Sequence, residues 1–301
     1  MIKILNFGKV FDYFINVSTQ EQQVVARKTG GLNPFLVLPL LFIVGVCIYL
    51  FIFGSTGNFT HKGEEVSGVS VAFLDIPLKE LTPKSVMGMV YMGGMIVPVL
   101  ITCAITVLVF SLERLFVLNK AEGAGNLEAF VLKIRQLLKE NRISEAQEEC
   151  DKQRGSVGNV VKEALTTYKA LSKETTMNRE QKMAALSKSI EEATTLEMPM
   201  MEKNMSILST LGTVATLIAL LGTVMGMIGA FYALGAGGGT PDAAALSIGI
   251  SEALINTALG IGTSALAIIL YNFFTSKIDG MTFKIDEIAM SIQQSFAETQ
   301  R

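Results

Sequence analysis

The 301-residue sequence has no tryptophan, one histidine and three cysteines. That shortage removes most of the side chains from which metal centres and nucleophilic sites are assembled. Cys47, Cys103 and Cys150 show neither pairing nor ligand spacing, and His61 stands alone in a polar loop. Cys47 and Cys103 fall inside apolar stretches, where a thiol packs as a small hydrophobe. There is no nucleophile–base set and no phosphate-binding glycine loop. The chain is therefore expected not to be an enzyme, and no cofactor, metal or nucleic acid is called for. Charge is scarce as well, and its scarcity is local. No Asp, Glu, Lys or Arg occurs between Lys84 and Glu113, or between Lys203 and Asp242. Runs of that kind exclude an ordinary solvated domain.

What the sequence does contain is apolar length. Half of the residues are hydrophobic and 17% are charged. Four stretches reach the roughly 20 residues needed to cross a hydrocarbon core of about 30 Å. The expected fold is all-α: a polytopic helical membrane protein with four transmembrane helices and long helices extending into the cytoplasm. Residues 1–34 form an N-terminal segment in which Ile4, Phe7, Phe11 and Phe14 recur at helical spacing, as in an interfacial amphipathic helix. A transmembrane helix at 35–54 follows; it begins too late and runs too long for a signal peptide. Residues 55–85 form an extracytoplasmic loop and 86–111 the second span. Residues 112–205 form a cytoplasmic helical domain, in which Leu127, Phe130, Ile134 and Leu138 mark one buried stripe. Its last helix has no breaker before Pro199 and is expected to run on into the third span. Residues 206–275 hold two further spans joined by a short external turn, and 276–301 a cytoplasmic C-terminal helix.

Orientation follows from Lys and Arg. Fifteen lie between Arg114 and Lys203, against three in the 55–85 loop, where Glu64, Glu65, Asp75 and Glu80 offset them. The N-in, C-in arrangement places the basic segment in the cytoplasm.

The third and fourth spans carry the polar residues. Thr216 and Thr223 are seven apart and share a helix face, with Thr213 near the same stripe. Gly222, Gly226, Gly229 and, in the fourth span, Gly260 provide small surfaces for close helix approach. The fourth span carries one charge, Glu252, eight residues in and therefore roughly 12 Å along the helix. Asn256 and Thr257 follow one turn later, and Gly260 and Ser264 continue the small face. An ionised carboxylate at such depth is costly unless it is paired, hydrated or facing a cavity. Two readings stay open. The residues line an ion path or meet a partner helix, or else they tie the bundle together while the threonines return their hydroxyls to their own backbone. A single acid per chain is one proton station. Further copies or a second protein must supply the rest of any relay.

Several motifs together resemble a known family. LLGTVMGMIGAF in the third span, ISEALINTALG entering the fourth and the closing ILYN are similar to the MotA/TolQ/ExbB proton-channel family, in its ExbB/TolQ branch. SLERLFVLNKA and ISEAQEECDKQRGSVGNVVKEAL resemble the family's segment after its first span and its cytoplasmic helices. The resemblance runs over about residues 86–280. It implies a bacterial inner-membrane motor driven by the proton motive force. In such a motor a homo-oligomeric ring, a pentamer, surrounds a dimeric single-span partner of ExbD or TolR type, and a TonB-like protein is a further expected partner. By the same resemblance Thr223, Thr257 and Glu252 occupy the family's pore positions. Glu113, with Arg114 beside it, matches an acid at the cytoplasmic end of a span. The chain departs from the family in lacking prolines near Thr216–Leu217 and at Ala265–Leu266–Ala267, and in its extra first span. The alternatives are a motility or gliding stator and a non-conducting membrane scaffold.

Overall fold

A computed structural model describes residues 32–74, 76, 80–236 and 243–299. The expected amphipathic segment with Ile4, Phe7, Phe11 and Phe14 and most of the turn between the last two spans lie outside the described residues. Among the described residues four helices are long and apolar enough to cross a membrane, and the fold there is almost entirely helical. This is a multi-pass helical membrane protein.

Asn33 begins the first helix by accepting a hydrogen bond from the Phe35 N–H at 3.2 Å. Pro34 then occupies a position where no N–H is needed. Helix α1 (Pro34–Cys47) continues as a wider π-type stretch, Ile48–Phe53. The loop beyond it folds into a small antiparallel sheet. Strand β1 (Phe59–His61) lies between β2 (Glu64–Glu65) and β3 (Leu81–Pro83). Phe59, Val71, Leu81 and Tyr91 form its compact core.

The stretch expected as one span at 86–111 is two helices. Helix α2 (Val86–Tyr91) ends before Gly93–Gly94, and α3 (Val97–Glu122) starts afresh. Gly94 takes φ +77°, a left-handed conformation that glycine adopts without penalty, and this turns the chain between the two.

The helical domain is built from α4 (Leu127–Lys139), α5 (Ile143–Gln153), α6 (Gly155–Lys173) and α7 (Arg179–Glu202). Asn126 caps α4, and Asn178 with Gln181 forms a capping box on α7. Leu127, Phe130, Ile134 and Leu138 are all buried in the domain's core. Helix α8 (Met205–Ala236) is the third span. Helix α9 (Ala243–Thr299) has 57 residues, so at 1.5 Å per residue it extends about 85 Å. It therefore crosses the membrane and continues unbroken into the helical domain. There Phe296 packs edge-on against Tyr168 with ring centroids 4.9 Å apart.

Helices α7 and α8 do not run together as one. The chain breaks at Lys203–Asn204, where Asn204 has φ +61°. Arg114 occupies the break. Its guanidinium is fully buried and holds both oxygens of Glu113, at 2.6 and 2.5 Å. Its remaining nitrogen lies 3.5 Å from the Met200 carbonyl and 3.4 Å from that of Met201. These carbonyls belong to the last turn of α7, where no intrahelical donor remains and a cation is favoured. The Asn204 amide donates to the Leu32 carbonyl at 3.3 Å and lies 3.4 Å from Glu113 Oε2. One buried ion pair thus fastens α3, the start of α1 and the α7–α8 joint.

Two outcomes follow. Arg114→Leu leaves Glu113 buried without its guanidinium partner, at about 3–5 kcal/mol, and lowers the thermal unfolding midpoint in detergent. Adding Glu113→Gln recovers much of the loss. Separately, burial pushes the Cys150 thiol up to about 12, with Asp151 adding to the effect. The thiolate is the reactive form, so Cys150 resists alkylation at neutral pH in the native protein and reacts once the helical domain unfolds.

Candidate functional site

Helices α8 and α9 lie antiparallel along a seam of small residues. On α8 the buried positions along the seam are Gly212, Ala215, Ala219, Gly222, Gly226 and Ala230. Opposite them on α9 lie Gly249, Ala253, Asn256, Gly260, Ser264 and Ala267, also buried. Steps of three and four keep each set on one helix face. The backbones come very close. A methyl on Gly226 would stand 2.9 Å from the Gly249 carbonyl oxygen, and one on Gly260 would run into the Ala219 methyl. Ser264 donates its hydroxyl to the Gly212 carbonyl across the seam. Gly222, Gly226 and Gly260 all take part in this close packing, but Gly229 is exposed on another face, with nothing within 4 Å of an added methyl.

Thr223 and Thr257 meet at the edge of the seam, half-buried, with their hydroxyls 2.5 Å apart. The Thr257 hydroxyl reaches the Ala253 carbonyl at 3.0 Å, and the Thr223 hydroxyl reaches the Ala219 carbonyl at 3.1 Å. Each hydroxyl has one proton and two lone pairs. When Thr257 donates to Ala253 and Thr223 donates to Thr257, the Thr223 oxygen keeps acceptor capacity. In that arrangement Thr257 returns its hydroxyl to its own helix while Thr223 gives its proton to the pairing across helices instead of to Ala219. What remains is an oxygen able to accept from water or to face a cation.

Glu252 lies on α9 one turn before Asn256 and faces the start of α3. Its carboxylate rests on the backbone of Gly94, and its half-buried side chain forms no hydrogen bond or ion pair among the described residues. Next to it, Gly93 packs against Ile255, since a methyl there would come within 3.0 Å of Ile255 Cγ2.

Asn256 does not line an open face. It is fully buried against Gly222, and neither its amide nitrogen nor its oxygen has a partner. Its position on the α9 stripe that meets α8 explains this. Thr216 and Thr213 are exposed and sit apart from the Thr223–Thr257 pair. Glu113 and Arg114 lie at the far end of α3 and do not join the cluster. Sequence reasoning missed Gly94 altogether. The signal was the Gly-Gly doublet in YMGGMIVP, inside an otherwise apolar run.

The comparisons with known proteins agree with the motifs. Residues 157–287 match the model of the MotA/TolQ/ExbB proton channel family. The chain is 35% identical over 115 residues to a biopolymer transport protein ExbB of Xanthomonas campestris pv. campestris, covering 38% of this chain and 45% of that protein. It is 27% identical over 214 residues to a putative biopolymer transport protein ExbB homolog of Methanothermobacter thermautotrophicus, covering 71% of each. Over 82 residues it is 39% identical to ExbB of Helicobacter pylori, covering 27% of this chain and 56% of that protein. The match thus spans less than half of the Xanthomonas protein. The resemblance seen in the third and fourth spans is borne out by the family model, which reaches from the start of α6 into the distal half of α9.

Gly222 and Asn256 are expected to be coupled. A methyl on Gly222 falls 2.8–2.9 Å from the Asn256 side chain, so Gly222→Ala costs about 1–3 kcal/mol by overpacking. Asn256→Ala removes two unpaired buried atoms and is neutral or stabilising. Combined, the two substitutions cost less than Gly222→Ala alone, as read by thermal unfolding in detergent.

Proposed function

We propose that this chain is the channel-forming subunit of an ExbB/TolQ-like motor in a bacterial inner membrane, oriented N-in and C-in. It assembles as a homo-oligomeric ring, in the family's manner a pentamer, around an ExbD/TolR-like single-span dimer. The motor uses the proton motive force to drive TonB-dependent transport or another envelope process. The observation that carries the reading is the Thr223–Thr257 pair, with a hydroxyl oxygen left able to accept, on the same two helices as Glu252.

Electrostatics supports a path shared between chains. Glu252 is the only charged residue between Lys203 and Lys277 apart from Asp242 in the turn. A relay with one station cannot cross a membrane alone, so its other groups come from neighbouring copies or from an acid on the partner. The outer face of α8 leaves room for such neighbours: Leu220, Val224, Ile228 and Phe231 are all exposed in the single chain. The ion is proposed to be H⁺, carried by the Glu252 carboxylate with the two hydroxyls as hydrogen-bonding waypoints.

A non-conducting scaffold is the rival from another class, because the same seam would hold helices together without any ion. A motility or gliding stator is the rival within the class. Thr223→Val is nearly isosteric, and Glu252→Gln keeps shape while losing charge. Both are expected to leave the oligomer intact on native gels and to abolish the energy-dependent process. Unimpaired function in both variants would refute the channel reading and leave the scaffold.

A further inference from the structure

The first span and the small sheet stand outside the α8–α9 pair, yet a continuous set of contacts leads from them to Glu252. The π-type end of α1 presents the carbonyls of Ile52 and Phe53, which accept from the Asn58 amide at 2.8 and 3.1 Å. The Asn58 side-chain oxygen accepts from the Ser85 hydroxyl at 2.8 Å, and Ser85 caps α2 by accepting from the Gly88 N–H at 3.2 Å. The other end of α2 is fastened by Tyr91. Its ring stacks on Tyr49 with centroids 4.6 Å apart, and its carbonyl accepts from the Tyr49 hydroxyl at 3.0 Å. Both ends of α2 are therefore tied to the first span. Three residues past Tyr91, Gly94 meets the Glu252 carboxylate.

Gly94 meets two demands that only glycine satisfies together. Its φ of +77° disfavours any side chain, and a methyl there would overlap Glu252 Oε1 and lie 2.9 Å from Cδ. Gly125, between α3 and α4, provides the contrast. It has a similar φ of +89° with nothing within 4 Å of an added methyl, and it lies outside the small sheet.

We propose that Gly94 is the positioning residue for the Glu252 carboxylate, and that α1, the small sheet and α2 form the clamp that holds it there. This rests on the channel reading for its consequence, because a fixed seat confines the acid to one place beside α3. A site of this kind needs its reactive group held by rigid supporting contacts. The clamp also gives the first span a role in the site from outside the α8–α9 pair.

The test is labelling of Glu252 by dicyclohexylcarbodiimide in membranes containing the full-length chain, followed by mass spectrometry. Gly94→Ala pushes the carboxylate off its seat and is expected to raise the labelling rate about fivefold or more. Gly125→Ala, which carries the same kind of backbone strain outside the clamp and away from the acid, leaves the rate unchanged. In a Glu252→Asp background the shorter side chain draws back from the added methyl, and Gly94→Ala then has little effect. Tyr49→Phe keeps the ring stack, loosens one fastening and gives a smaller rise. It carries the test if Gly94→Ala does not accumulate.

Three results would overturn the proposal: labelling at the wild-type rate in Gly94→Ala, an equal rise in Gly125→Ala, or an undiminished effect on the Glu252→Asp protein. If Tyr49→Phe has to stand alone, an unchanged rate overturns it too. Labelling reads the surroundings of the acid whether or not ions flow. Its outcome is therefore separate from the Thr223→Val and Glu252→Gln phenotypes that decide the channel reading.

Discussion

The closeness of α8 and α9 is the constraint on which the site depends. Within a bilayer, helices gain no hydrophobic drive toward one another, and attraction comes from close packing and interhelical hydrogen bonds. Glycine and alanine along both faces let the two backbones approach until a methyl on Gly226 or Gly260 would collide. That closeness brings the Thr223 and Thr257 hydroxyls together at the seam's edge. It also traps Asn256 inside with no partner, at a cost of about 1–3 kcal/mol for each unmet polar group. The polar pair and the orphan amide are two results of one packing arrangement. Larger residues along the seam would separate both.

The rest of the chain sets where that seam sits. At the domain end, the buried Glu113–Arg114 pair closes the α7–α8 joint and fixes the depth at which α8 begins. Helix α9 needs no joint, because it continues from the membrane to its contact with α6 at Phe296 and Tyr168. A displacement of α9 in the membrane is therefore carried along a continuous helix into the domain. At the other end, the first span and the small sheet hold the Gly93–Gly94 turn against Glu252. The acid thus lies between a rigid helix and a braced turn.

Much of this was legible in the sequence, and what was not had physical reasons. Charge-free runs marked the apolar spans, and the stripe from Leu127 to Leu138 marked the helical-domain core, because both depend on composition and period. Gly222, Gly226 and Gly260 announced close packing, whereas Gly229, with the same small surface, faces outward. The direction in which Asn256 points did not, because its spacing from Glu252 is the same whether it faces a neighbour helix or an open path. The break at Asn204 was hidden by good helix formers on both sides. The last carbonyls of α7 there are met by Arg114, which is distant in sequence. The turn at Gly94 lay within a run that hydropathy reads as one span, and the sheet at 59–83 comes from strands too short to show alternation. Long-range capping and backbone sign, not hydrophobic pattern, separate what was seen from what was missed.

If the open face of α8 and the single acid in the membrane-crossing part of α9 belong to a shared path, the protein cannot act as an isolated chain. Native mass spectrometry of the protein extracted gently from its own membrane tests this most directly. The account predicts a closed ring of several copies that retains a smaller single-span protein. A monomer or dimer that stays free of any such companion across different detergents would contradict it, and Glu252 would then be a structural residue.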